Sequence, residues 1–291
     1  MLLIVDSQVH IWGADTAERP WPPGRAHQAQ KPYPVTKDIV LAEMDAAGVA
    51  RAVIVPPSWE GDRNDLALQA ARLHGDRFAV MGRLAIERPE SRALVARWKE
   101  QPGMLGLRFT FHTEVQRPWL TDGTADWLWP AAEKAGLPVM MYVPGSLRVV
   151  EGIAARHPGL RLVIDHLAIE GPLRDDAAFA HLPELLALAR CANVGVKASA
   201  LPCHSTEPYP YRGLHQYVRQ VVDAFGPRRT FWGTDLTRLP CSYRQAITLF
   251  TEELPWLRGS DLEWVMGRGL CEWLGWPSPA SAGQPAGSRR P

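Results

Sequence analysis

Short apolar runs rich in β-branched residues recur along the chain, and each is followed by a stretch whose apolar residues return every three or four positions. The runs are LLIVDS (2–7), RAVIVPP (51–57), FAVMGRL (78–84), MLGLRFTF (104–111), LPVMMYV (137–143), RLVIDH (161–166), ANVGVKAS (192–199) and TFWGTD (230–235). Their length and composition predict strands. The periodic stretches between them, such as DIVLAEMDAAG, SLRVVEGIAARHPG and LHQYVRQVVDAFG, predict amphipathic helices, most of which stop at Gly or Pro. Eight strands alternating with eight helices, with no linker between them, predict a single (β/α)8 TIM barrel. A doubly wound sheet is the competing α/β architecture, and the lack of a Gly-rich phosphate loop after any strand disfavours it.

Two connections exceed what a barrel needs. Residues 13–37 join the first strand to its helix and residues 199–213 follow the seventh. These extended β1–α1 and β7–α7 loops leave the strand ends where barrel active sites lie, so they are candidate lids. His27, Arg19 and Arg25 sit in the first of them. The barrel is expected to occupy residues 1–276, and the tail 277–291, PSPASAGQPAGSRRP without its neighbours, is expected to be disordered from its Pro, Ala, Ser and Gly content.

Charge and cysteine usage narrow the function classes. Lys and Arg number 32 against 31 Asp and Glu, a net charge of +1, so no basic field for nucleic acid is present. No run is long and apolar enough to cross a membrane. Cys191, Cys203, Cys241 and Cys271 are widely spaced, lack CxxC spacing and follow no signal-peptide pattern, which reads as reduced thiols in a cytoplasmic protein. The expected partner is a small anionic organic substrate, and a homo-oligomer is left open.

The strand ends carry the chemistry. In IVDSQVHIW (4–12), Asp6, Gln8 and His10 alternate, and positions two apart on a strand share a face, so the three are expected to converge on one site. Later strands end in Arg83, Arg108, Tyr142, Asp165 with His166, Lys197 and Asp235. A barrel held together by packing alone does not require so many polar ends. Each also has a plain structural reading: Asp235 as the cap of the next helix, Gln8 as an amide bonded to neighbouring strands, and Arg83 or Lys197 as partners of a carboxylate. Cys203 has no adjacent base and reads as a packed thiol, and His112, His204 and His215 read as loop or surface groups.

DSQVHIW, DHLA on the sixth strand and FGPRRTFWGTDLTR at the eighth together resemble the amidohydrolase superfamily, and within it the amidohydrolase-2 branch that contains 2-pyrone-4,6-dicarboxylate lactonase and sugar lactonases. The resemblance runs from Met1 to about Trp276. It places the family's first-strand HxH on Gln8 and His10, its fifth-strand ligand near Tyr142, its sixth-strand His on His166 and its eighth-strand Asp on Asp235. Two of the family's imidazoles are therefore missing. If a metal binds, His10, His166 and Asp235 are the implied ligands and zinc the implied ion. The weak neutral oxygen of Gln8 argues instead for no cofactor, as in the metal-free pyrone dicarboxylate lactonase, which holds an anionic substrate with arginines and a tyrosine.

The expected function is hydrolysis of a small carboxylated lactone, in aromatic or sugar-acid catabolism. Asp235 would take a proton from water, His10 and His166, with Lys197, would stabilise the oxyanion, and Gln8, Arg83, Arg108, Tyr142, Lys197 and Arg238 would bind substrate. The carboxylate expectation rests on charge: these cations face few carboxylates besides Asp235 and so call for an anionic partner. The alternatives are a metal-dependent amidohydrolase or aromatic-acid decarboxylase of the same superfamily and, from another class, a ligand-binding barrel with degraded catalysis.

Overall fold

The computed structural model describes residues 2–277, so the expected disorder of the tail after Trp276 falls, but for Pro277, outside the described residues. Its eight strands are β1 (Val5–Val9), β2 (Arg51–Ile54), β3 (Phe78–Gly82), β4 (Met104–Thr110), β5 (Val139–Tyr142), β6 (Leu162–Ile164), β7 (Val194–Ser199) and β8 (Thr230–Gly233). They form one sheet in sequence order, every ladder parallel, as the alternation of strand and helix requires. The sheet curls until β8 meets β1: the Asp235 N–H donates to Gln8 O at 3.0 Å. The predicted (β/α)8 barrel is thus the observed fold.

The seam between β8 and β1 is built around Asp6, which is fully buried. Its Oδ1 accepts the backbone N–H groups of Gln8 at 3.0 Å and Thr234 at 2.9 Å, and its Oδ2 accepts the Thr234 hydroxyl and the Tyr243 hydroxyl, the latter at 2.7 Å. Burial still pushes the Asp6 carboxyl above the usual carboxylate range against those bonds. Gly233 is needed beside it, because a Cβ there would overlap Ser7 Oγ. This corrects the expectation that Asp6 joins Gln8 and His10 in one site. The register of β1 against β2 shifts between Asp6 and Val9, and such an irregularity breaks the two-residue alternation.

The helices are α1 (Lys37–Ala47), α2 (Asp65–Leu73), α3 (Ser91–Val95), α4 (Leu128–Lys134), α5 (Leu147–Arg156), α6 (Asp175–Ala178), α7 (Leu182–Ala187), α8 (Arg212–Phe225), α9 (Tyr243–Thr251), α10 (Gly259–Glu263) and α11 (Gly269–Leu274). Two departures from the predicted eight matter. The stretch after β3 is short, a single α3 and a 3-10 turn at Trp98–Glu100, and α10 and α11 are added after the last barrel helix. The second addition has a packing reason. Inward residues of the strands, among them Val5, Val53, Met81, Met140, Val163 and Phe231, form a small core of their own, and Leu270 and Leu274 of α11 complete it with Trp276. Arg51, the first residue of β2, stacks over the Trp276 ring at 4.7 Å, which places this plug at the end of the barrel opposite the strand tips. A larger core fills the layer between sheet and helices. Among the described residues no helix is long and apolar enough to cross a membrane, and the four cysteines are unbridged.

Candidate active site

At the C-terminal ends of the strands lies a cavity of about 280 Å³. Strand ends supply Gln8, His10, Arg108, Thr110, His112, Tyr142, His166, Asp235 and Arg238 to its wall. Gln28 and Gln30 reach it from the long loop after β1, and Pro57, Ser58 and Trp59 from the loop after β2. Seven of the nine residues singled out in the sequence therefore meet here. Arg83 and Lys197 do not line this cavity.

Three strands leave the barrel through left-handed residues. His166, Leu167 and Ala168 have φ of 52°, 53° and 58°, Ala200 has 58° and Asp235 has 53°. Non-glycine residues in this region cost energy, and such conformations gather at functional sites. The turn after β6 brings both Asp165 and His166 into the interior, where plain strand alternation would send one of them outward. Asp235 stands at the start of the 3-10 turn Leu236–Arg238, but its side chain caps nothing, so the helix-cap reading is set aside.

Asp235 is 1 % exposed and has cationic or polar neighbours on three sides. His10 Nε2 is 3.1 Å from its Oδ1, His166 Nε2 3.8 Å from its Oδ2, and Arg238 Nη1 3.5 Å from Oδ2. Burial alone would raise its pKa, but His10 and Arg238 outweigh it and hold the carboxyl well below the usual range, so it is ionised at neutral pH. His10 Nδ1 donates to Val55 O at 2.6 Å, leaving Nε2 between Asp235 and the Gln8 amide. A proton on Nε2 would be given to Asp235, and a lone pair there would accept from Gln8, so either state has a partner. His166 is neutral: burial, only partly opposed by Asp235 and Asp165, brings it down to about 3.

Beneath the cavity floor lies a buried group of charges that strand alternation does not predict. Asp165 accepts from Arg108 Nε at 2.9 Å and from Lys197 Nζ at 2.8 Å, and all three side chains are buried. Burial would raise the Asp165 carboxyl, but Lys197 and Arg108 outweigh it and bring it to about 2. The expectation that Arg108 and Lys197 lack counter-charge is corrected by this carboxylate. Lys197 also donates to Gln8 Oε1 at 2.9 Å and is wholly buried, so it supports the floor and does not face the cavity. Arg108 lines the cavity, and its Nη groups have no hydrogen bond among the described residues.

Arg83 lies behind the wall. Its Nη2 donates to Thr110 Oγ1 at 3.3 Å, and it borders a separate cleft of about 600 Å³ with Asp62, Asn64 and Arg88. Burial and the nearby Arg108 lower its guanidinium to about 9. Tyr142 is in the wall, its hydroxyl donating to Ile169 O at 2.7 Å and its ring edge-on to His166. His112, expected as a loop or surface group, lines the cavity next to Tyr142. His204 and His215 donate to the backbone carbonyls of Leu173 and Pro210 away from it, and Cys203, whose thiol burial pushes up to about 11, is an inert packed group. In the first loop the cavity-facing groups are Gln28 and Gln30, whereas Arg19 anchors the loop on Glu60 and Asp65. Glutamines in a loop carry no sequence signal that would have singled them out.

A divalent cation does not fit the residues present. Gln8 Nε2 lies 3.1 Å from His166 Nε2 and 3.3 Å from His10 Nε2, so amide hydrogens occupy the focus that those imidazoles share. Among the described residues no group of three or more His, Cys, Asp or Glu side chains is arranged to hold a metal ion.

Comparison with known proteins bears on the family and the fold. The sequence is 28% identical over 245 residues to an L-fucono-1,5-lactonase of Burkholderia ambifaria, covering 81% of this chain and 80% of that protein. Among solved structures, an amidohydrolase from Burkholderia multivorans with bound zinc superposes with a TM-score of 0.78 at 22% identity, covering 94% of this chain and 100% of that one. A probable 2-pyrone-4,6-dicarboxylic acid hydrolase from Acinetobacter baumannii with citric acid bound gives a TM-score of 0.75 at 16% identity, covering 94% of this chain and 99% of that one. At such identities these structures speak for the fold. The amidohydrolase (Amidohydro_2) sequence profile matches residues 5–288, nearly the whole chain, and with the barrel and its polar mouth this places the protein in the amidohydrolase family, as an enzyme of it.

Proposed function

We propose that the protein opens a small lactone by hydrolysis, with Asp235 as general base and without a metal. The observation that carries this reading is the Asp235 carboxylate: ionised, buried, free of any capping duty and facing a cavity at the strand ends. A water held against it loses a proton to the carboxylate as its oxygen bonds to the carbonyl carbon; when the intermediate collapses the acyl C–O bond of the ring breaks, and the proton passes by way of His10, in contact with the same carboxylate, to the departing ring oxygen. Charge then builds on the carbonyl oxygen. His166 is poorly suited to receive it, since its Nε2 accepts from Gln8, while the Nη groups of Arg108 are pre-positioned donors on the wall. A carboxylate held so far below neutrality is a weak base, which suits an ester-type carbonyl better than an amide.

Within this reading the lactone of a hydroxylated acid is the favoured substrate. Gln28, Gln30, Ser58, Thr110 and His112 offer neutral hydrogen-bonding groups around the cavity wall, and the Burkholderia ambifaria relative and a second one from Burkholderia multivorans, 27% identical over 263 residues, are both named L-fucono-1,5-lactonase. A carboxylated lactone is the second reading, favoured by Arg238, which is partly exposed at the mouth. The test is turnover of a sugar-acid 1,5-lactone and of a carboxylated lactone, followed by proton release at neutral pH. Asp235→Asn should lower the rate on the accepted lactone by roughly 10²- to 10⁴-fold while the fold persists. A folded variant with unchanged turnover would remove Asp235 from the reaction, and a wild type inert towards every lactone would remove the function.

A further inference from the structure

We propose that Lys197 and Gln8 form a protein-built substitute for a divalent cation, with Lys197 as the positioning residue that locks the Gln8 amide between His10 and His166. The argument starts from an ammonium group, which has three donors and no acceptor. Lys197 Nζ lies 2.9 Å from one end of the Gln8 amide, so that end must be the oxygen. The other end, the NH2, is thereby turned to His10 Nε2 at 3.3 Å and His166 Nε2 at 3.1 Å. Each imidazole has its Nδ1 on a protein partner, Val55 O at 2.6 Å and Ser199 Oγ at 2.8 Å. Histidines that bind metals are oriented in this manner, with the second nitrogen fixed from behind. Here the atom at their focus is a nitrogen carrying two hydrogens.

A cation at that focus would meet the amide hydrogens and, behind them, a wholly buried ammonium. Turning the amide over to offer its oxygen would set NH2 against Lys197, donor to donor, in an interior where an unpaired donor is costly. Asp165 does not relieve the repulsion, because one carboxylate is shared between Lys197 and Arg108. The lock therefore has two parts. Gln8→His alone would offer its new ring nitrogen to Lys197, whereas Gln8→His combined with Lys197→Met frees that nitrogen to face inward with His10, His166 and Asp235.

The test is independent of turnover and of which lactone is the substrate. Chelator-treated protein is titrated with Co(II), and ligand-field absorption is read together with cobalt retained after desalting. The wild type should show neither, Gln8→His little, and the double variant about one equivalent with ligand-field bands that His166→Ala abolishes. A wild type that retains about one equivalent of cobalt, with bands lost in His166→Ala, overturns the proposal. So does a double variant with a native circular dichroism melt that retains none. Should the double variant not fold, Lys197→Met decides: with the amide released to turn its oxygen inward, cobalt binding absent from the wild type should become detectable in the titration, and continued absence counts against the lock.

Discussion

A carboxylate that accepts from Arg108 at 2.9 Å and from Lys197 at 2.8 Å changes what Arg108 can be asked to do. Its Nε is committed and half of its counter-charge is already supplied, so its free Nη groups are better matched to an oxyanion that appears only during the reaction than to a permanent carboxylate on the substrate. Arg108→Met should therefore lower kcat by roughly 10²- to 10³-fold on neutral and carboxylated lactones alike, with a smaller effect on KM. A rise in KM confined to the carboxylated lactone would return Arg108 to substrate binding. That Arg108 faces inward was legible from strand alternation. That Asp165 answers it was not, because Asp165 and His166 are adjacent and an extended strand would separate their side chains to opposite faces. The left-handed run from His166 to Ala168 sets that rule aside, and nothing in the residues Asp-His-Leu-Ala announces three positive φ angles in succession.

The loop between β1 and α1 was legible as long and as lying over the mouth, but its working residues were not, since loops lack the periodicity that strands and helices provide. It is pinned in three places. Trp21 sits edge-on to Trp59 with ring centroids 4.8 Å apart, Gln30 accepts from the Thr237 hydroxyl, and Arg19 pairs with Glu60 and Asp65. Gln28 and Gln30 gain a defined position in the cavity wall from these anchors. The Glu60 side chain is 3% exposed, so removal of Arg19 strands a buried carboxylate and loosens the loop. Arg19→Ala is expected to raise KM for the accepted lactone about tenfold with kcat changed much less, because the loop contributes to holding substrate and Asp235 lies on another strand. Faster proteolytic cleavage within residues 13–36 of the variant would accompany this, and an unaltered KM would detach the loop from recognition.

The barrel as a whole was legible because eight strand-helix alternations leave few other topologies, yet how the sheet closes on itself depends on one residue whose role alternation misassigned. Asp6 ties the tip of β8 and the first turn of α9 to β1, and the same seam fixes the catalytic mouth, since the Asp235 N–H is bonded to Gln8 O. Asp6→Ala would leave the buried N–H groups of Gln8 and Thr234 without their acceptor, at roughly 1–3 kcal/mol each, and should cost about 3–5 kcal/mol in urea unfolding. Asp6→Asn keeps an oxygen for both N–H groups. Its NH2 would face the Thr234 and Tyr243 hydroxyls, which can rotate to accept, so the expected loss is only about 1–2 kcal/mol. Tyr243→Phe removes a single bond and should cost about 1 kcal/mol. If the seam also sets the site, turnover should fall in the same order at a temperature where all three variants remain folded, because a shifted β8 tip moves Asp235 relative to Gln8 and His10. Asp6→Ala unfolding at the wild-type urea concentration would show that the helix layer alone holds the barrel shut, and the proposed link between closure and catalysis would fall with it.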